Sequence, residues 1–327
     1  MNISTPYYED LSRVSNSNIG WFLQKGPAYL HKMLTDPPPE EKNSTLERGT
    51  MIHEYILQPE EFQKDYVVWD KPKPTSAQQE KFCQALALNT EIEPNKAILS
   101  AYKESYSTKG KSDDLMLSEG LKIASAMKDY IDFLKANDGR IMISPWDVKM
   151  LEKIKHNIRN HKKALPLLAP YKWESETFKW HHEFHINWEL CNVECKSLLD
   201  SVTFDIEHKE CTIMDLKTTQ KLWHFEESMT MYDYLRQLCY YTMATNWYIE
   251  NELHQNPSEW KHKWYIIGID TTGTNEIRVF EFTEEQVWSR YDTIIGALES
   301  ISWHQQNNLW DHSREYYEGN GAEKLSL

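Results

Sequence analysis

The sequence predicts an α/β fold of the mixed α+β kind: a central mixed sheet flanked by helices, with a helical N-terminal part in front of it. Two observations lead there. Up to about residue 170 apolar side chains recur at helical spacing, and from Glu176 onward the spacing drops to two. A long helical run then separates three strand-like segments from a closing pair, an order that suits layered helices and sheet. At 327 residues the chain can bury one large core. Residues 1–327 therefore read as a single domain, with a mainly helical part over 1–170 and a sheet core over 171–310.

The elements follow in order. "NSNIGWFLQKGPAYLHKM" carries apolar and aromatic residues at helical spacing behind Ser and Asn capping candidates, and "DPPPEEKN" ends it in a loop. "STLERGTMIHEYILQPEEF" sets Leu46, Met51, Ile52, Tyr55 and Ile56 on one stripe, with Pro59 beyond its end and His53 and Glu54 in its middle. Residues 76–90, 117–137 and 146–164 read as further helices. In "ETFKWHHEFHINWEL", Phe178, Trp180, Phe184, Ile186 and Trp188 alternate as in a strand. "NVECKSLLDSVTFD" and "ECTIMDLKT" follow, joined by the turn-prone "IEHK", which makes a three-stranded antiparallel meander. "FEESMTMYDYLRQLCYYTMATNWYIEN" reads as one long helix. "KWYIIGID" and "NEIRVFEF" form a hairpin about "TTGT", and "TEEQVWSRYDTIIGALESISWHQQ" opens on a capping threonine and continues as a helix.

Composition narrows the function classes. Hydrophobic residues make up 40% and charged residues 26%, with 13 Trp and 18 Tyr, which excludes a disordered chain. No apolar run approaches the roughly 18 residues of a membrane span, and "MNISTPYYED" lacks the layout of a signal peptide. The expected location is the cytoplasm, without membrane attachment. Five scattered cysteines make no disulfide framework, and the close pair Cys191 and Cys195 falls at a strand, not in a knuckle turn. A net charge of −14 excludes a broadly basic nucleic-acid binder. It leaves room for an enzyme whose divalent cation brings positive charge to an acidic site, and for a local basic run such as Lys153 to Lys163.

The chemistry concentrates in "CTIMDLKTTQ", where Asp215 and Lys217 interrupt a buried-strand pattern. Alone, the pair reads as a salt bridge. Asp200 lies one strand earlier, however, and neighbouring strands bring two such carboxylates within one metal's reach, with Lys217 on the same face as Asp215. Two carboxylates suit Mg²⁺, and the Leu216 backbone carbonyl can add an oxygen. A lysine on that face can position or deprotonate an attacking water. His53 and Glu54 follow Gly49 in an upstream helix, and Gln237 and Tyr241 stand one turn apart in the helix after the strand.

These residues give the chain a resemblance to the PD-(D/E)XK nuclease superfamily, in its RecB-like branch near the RecE (exonuclease VIII) type of phages and prophages. "VSNSNIGWF" matches a Ser-x-Ser helix start. "GTMIHEYILQPEEF" matches Gly-x-x-x-His and Leu-x-Pro-x-x-Phe through Gly49, His53, Leu57, Pro59 and Phe62. "ETFKW" (Glu176, Trp180), "CKSLLD" (Cys195, Lys196, Asp200), "DLKTT" (Asp215, Lys217) and "QLCYY" (Gln237, Tyr241) follow in the family's order, so the resemblance runs from about Ser15 to about Ser302. One departure is Leu198, where the family often has arginine.

The resemblance implies a restriction-endonuclease-like core. It also implies roles: His53, Asp200, Asp215 and the Leu216 carbonyl as ligands of Mg²⁺ (or Mn²⁺), with Glu176 on a second ion or a water. Lys217 would activate water and stabilise charge, and Gln237 and Tyr241 would orient the lysine or a DNA phosphate. The leading function is a metal-dependent DNA exonuclease acting on double-stranded ends in phage-type recombination. The alternatives are an endonuclease or single-strand-specific nuclease of the same fold, and a non-catalytic DNA-binding scaffold. DNA is the expected partner, a strand-annealing protein is a partner by analogy, and the resemblance admits a homo-oligomer.

Overall fold

The computed structural model describes residues 7–38, 44–136, 139–172 and 174–322. Its strands are β1 (Tyr66–Val68), β2 (Ile141–Ile143), β3 (Phe178–Leu190), β4 (Val193–Asp205), β5 (Glu210–Thr219), β6 (Lys261–Asp270) and β7 (Ile277–Phe282). The chain divides into two compact units, one formed up to Pro59 and from Met150 onward, the other by Glu60–Lys149. The fold class is the mixed α/β arrangement expected, with an open sheet and not a barrel.

The Glu60–Lys149 unit packs the helices Ala77–Leu88, Pro94–Ser105, Asp113–Ala126 and Lys128–Ala136 around Phe82, Ile98, Tyr102, Met116 and Ile131. β1 and β2 form a short parallel pair within it. Neither that pair nor the Pro94–Ser105 helix is legible in the sequence pattern. Three residues are too few to show a period, and Pro94, which starts the helix, also reads as a breaker.

The larger unit is built on a five-stranded sheet of order β3-β4-β5-β6-β7, parallel between β5 and β6 and antiparallel elsewhere. The meander and the closing hairpin therefore form as the period predicts. A parallel neighbour needs a crossover, and the helices Phe225–Tyr232 and Tyr234–Asn251 supply it between β5 and β6. Leu238, Tyr240, Ala244 and Ile249 of the second helix are buried with Val202, Phe204, Ile213 and Ile266 of the sheet. Covered by helices, β5 buries Ile213 through Leu216 without a break.

Several expected helices are broken: 117–137 divides into Asp113–Ala126 and Lys128–Ala136, the closing run into Glu284–Trp288 and Tyr291–Asn307, and two more breaks have a clear cause. The first stops at Lys25 because Gly26 takes φ 82°, and a second starts at Pro27, running to Thr35. The long crossover helix breaks at Asp233, which adopts left-handed backbone (φ 48°, ψ 56°). Its carboxylate accepts from Arg290 Nε at 2.8 Å and stands 3.5 Å from Arg236 Nε, so the side-chain pairs hold a conformation the local sequence disfavours. Residues 39–43 of the expected "DPPPEEKN" loop lie outside the described residues.

Candidate active site

The hairpin between β3 and β4 turns on two residues, Cys191 and Asn192, both at positive φ (54° and 57°). Such a two-residue turn locks register. Leu190 pairs with Val193, Phe184 with Leu199 and His182 with Ser201, which sets Glu183 level with Asp200. Glu183 itself is at φ 46°, a local distortion of the strand at that level.

On its other side β4 pairs with β5 only from Ser201↔Met214 to Asp205↔Glu210. Beyond Ser201 the two strands part, and the next residues on each are Asp200 and Asp215. Asp200 turns its carboxylate into this fork, where Oδ2 accepts from the Leu216 backbone N–H at 2.6 Å. Val14 closes the fork further along through a parallel bridge to Cys195, held by Val14 N–H to Glu194 O at 2.9 Å and Lys196 N–H to Val14 O at 2.9 Å.

Side chains reach the fork from both faces of the sheet. Gly49 of the Ser44–Leu57 helix lies so close to β5 that a Cβ on it would stand 3.2 Å from Thr218 Oγ1. This contact seats His53 one turn later, with Nδ1 at 3.7 Å from Asp200 Oδ2 and the ring against the Leu216 backbone. The predicted carbonyl of Leu216 therefore faces His53. From the opposite face, by the alternation of β5, the Tyr234–Asn251 helix presents Gln237. Its Nε2 donates to Asp215 Oδ1 at 3.1 Å and to the Tyr241 hydroxyl at 2.8 Å.

Asp215 is 1% exposed, and its Oδ2 pairs with Lys217 Nζ at 2.7 Å. Lys217 in turn stands 5.0 Å from the Tyr234 ring centroid. The salt bridge that the sequence admitted is thus real, and it is also part of the cluster.

His53, Glu183 and Asp200 each offer a ligand atom, and these atoms lie within 4.8 Å of one another. The structure brings His53 and Asp200 together as expected and sets Asp215 beside them, engaged by Lys217 and Gln237. It does not bring Glu176 in. That residue is exposed in a bend before β3, and the acid at the cluster is Glu183. The signal for Glu183 was present in "ELCNVE": counting back from a Cys-Asn two-residue turn pairs position 183 with 200. The turn goes unrecognised because cysteine is not a habitual residue of such turns.

The electrostatics record crowded acids. Glu183 is pushed up to about 8 by burial, then by the charges of Asp200, Asp215 and Glu54. Burial likewise raises Asp215 to about 6, against the pull of Lys217. Asp200 is also raised by burial. Burial pulls Lys217 down, but Asp215 and Asp200 outweigh it and leave the ammonium above its ordinary value. His53 falls to about 4, by burial and then by the charge of Lys217, so its imidazole is neutral at pH 7 and able to ligate.

Two carboxylates held up in pKa beside a neutral imidazole are the donor set of a divalent cation, whose charge would relieve the repulsion. The residues fit the ion that the resemblance implies.

No known protein family matches the sequence, and no curated protein does. Among solved structures, the chain is similar to one from Eubacterium rectale described as "Putative exonuclease". The TM-score is 0.51 at 12% identity, covering 100% of this chain and 96% of that one. At that identity the likeness is one of fold, along the whole chain. Among the described residues, no helix is long and apolar enough to cross a membrane.

Proposed function

We propose that the chain is a metal-dependent deoxyribonuclease, an exonuclease of RecE-like type that hydrolyses phosphodiesters at double-stranded DNA ends. One observation carries this: His53, Glu183 and Asp200 converge at the same sheet fork that presents the Asp215–Lys217 pair. A structural salt bridge has no use for two further half-buried acids and a neutral histidine, each of which costs stability where it stands. The fold shared with the Eubacterium rectale protein supports the same class.

The roles follow from position. His53, Glu183 and Asp200 would hold Mg²⁺ or Mn²⁺, and the Leu216 carbonyl would add an oxygen. When bound, the cation supplies charge against the developing phosphoryl oxyanion and acidifies a water. Asp200 is oriented for ligation by the Leu216 N–H. Lys217, kept protonated by Asp215 and Asp200, neutralises charge on the phosphate under attack. Of its two expected roles, the geometry favours charge stabilisation, because an ammonium held above its ordinary pKa does not take a proton from water. Gln237 fixes Asp215, and through it the lysine, as a positioning residue.

The test is incubation of end-labelled linear duplex, covalently closed circles and single strands, with Mg²⁺ and with EDTA. Metal-dependent loss of the linear duplex alone is the expected outcome. Cutting of closed circles would replace the exonuclease with an endonuclease, and inertness of all three substrates across Mg²⁺ and Mn²⁺ would refute the proposal.

A further inference from the structure

The break at Asp233 shapes what stands beside Lys217. A continuous helix would point Tyr232 and Tyr234 in nearly opposite directions, two residues being 200° apart. The left-handed residue between them instead stacks their rings, with centroids 5.6 Å apart and planes at 21°. Tyr234 stacks in turn on Phe225 (5.9 Å, 27°), and Phe225 on Phe280 (4.6 Å, 6°). The ladder therefore has a buried foot, Phe225 being 2% exposed, and an open top, Tyr232 being 57% exposed with Met231 at 63% beside it. Lys217 Nζ lies 5.0 Å from the Tyr234 centroid. Arg290 and Arg236 hold the Asp233 carboxylate and so maintain the break.

We propose that the exposed ring of Tyr232 is a stacking platform for an unpaired nucleobase of the strand whose phosphate faces Lys217. The inference rests on the nuclease reading and goes beyond it, assigning a binding site outside the metal cluster. Three features select this occupant. The ring belongs to a rigid stack, so it offers a face without further ordering. The steps of 5.0 and 5.6 Å place it no more than about 11 Å from Nζ, within about three nucleotides at roughly 3.4 Å per stacked step. In addition, a chain of net charge −14 gains little affinity from phosphate contacts over most of its surface, and base stacking adds affinity that needs no charge. Frayed or single-stranded ends present such a base, and internal base pairs do not.

The experiment compares the parent, Tyr232→Ala and Tyr232→Phe, with circular dichroism confirming that each is folded. Binding of a single-stranded oligodeoxynucleotide carrying 2-aminopurine near its end is followed by fluorescence in EDTA, and KM and kcat are measured in Mg²⁺ on linear duplex with frayed ends. Tyr232→Ala is expected to raise Kd and KM about five- to a hundred-fold with kcat little changed. Tyr232→Phe should stay within about two-fold of the parent. A matching strand with an abasic nucleotide at the stacked position should weaken binding to the parent by a similar factor and add no further loss in Tyr232→Ala. Parental binding by Tyr232→Ala, or equal abasic penalties in both proteins, overturns the platform while leaving the nuclease standing. A parent that neither binds nor cleaves any DNA overturns both.

Discussion

Replacing Glu183 with Gln removes one charge from the cluster at nearly constant shape, and its effect on stability has a computable sign. In the unfolded chain the carboxyl loses its proton near its ordinary 4.5, whereas in the folded protein it keeps it to about 8. Between those values the folded state binds more protons, so stability falls as pH rises. Asp215, raised to about 6 from 3.8, acts in the same sense at lower pH. His53, lowered to about 4 from 6.5, acts oppositely, because there the unfolded state binds the proton. Asp215 is mostly titrated by pH 6.5 and the unfolded-state proton of His53 is lost just above it, so comparison with the variant, which keeps both groups, isolates Glu183 between pH 6.5 and 8.

At about 1.4 kcal/mol per pH unit, that window is worth about 2 kcal/mol, and solvent screening of a partly exposed carboxyl reduces it to roughly 1. With an unfolding entropy of about 0.7 kcal/mol/K for a chain of this length, the change in melting temperature from pH 6.5 to pH 8 without metal should be about 1–3 °C less favourable in the parent than in Glu183→Gln, the buried histidines being common to both. Glu183→Gln should therefore melt above the parent at pH 8. Metal reverses the order. At a Mg²⁺ concentration near 100 times its Kd the parent gains about 2.7 kcal/mol, or roughly 4 °C, and the variant gains far less. Scanning calorimetry at the two pH values, with and without Mg²⁺, measures all four quantities. A variant that melts below the metal-free parent at pH 8, or responds to Mg²⁺ as the parent does, would refute the assignment of Glu183.

Lys217→Ala should abolish cleavage, by at least about 10³-fold, while the protein stays folded and still responds to Mg²⁺ in a melt; parental digestion rates would sink the role given to the lysine. Lys196, buried in β4, donates to the Tyr7 and Asp10 carbonyls at 2.6 and 2.5 Å, so Lys196→Met should release the N-terminal segment at a cost of about 1–3 kcal/mol. Faster amide exchange at Val14 reports that release, and unchanged exchange would count against it. Gly49→Ala should change stability by less than about 1 kcal/mol, since gained helix propensity offsets crowding against Thr218. It should nonetheless weaken Mg²⁺ binding in calorimetric titration by shifting His53, and an unaltered affinity would show that the close approach does not seat the ligand.

The sequence by itself determined the fold class, because periods of 3.6 and two are set by local backbone geometry and survive any tertiary arrangement. It also singled out Asp215, Lys217 and Asp200, charges in strands too apolar to hold them idly, while His53 entered through the resemblance. The tertiary structure decided where those groups meet. Strands β4 and β5 part after Ser201 and Met214, and no pattern along either strand marks the place where pairing stops. The exchange of Glu176 for Glu183 has the same origin, since which acid faces Asp200 depends on register across a turn and not on spacing within a strand. The break at Asp233 is likewise invisible locally: a helix-forming run is held out of helix by Arg290, a residue 57 positions away. Contacts between segments distant in sequence made those choices, and local periodicity does not encode them.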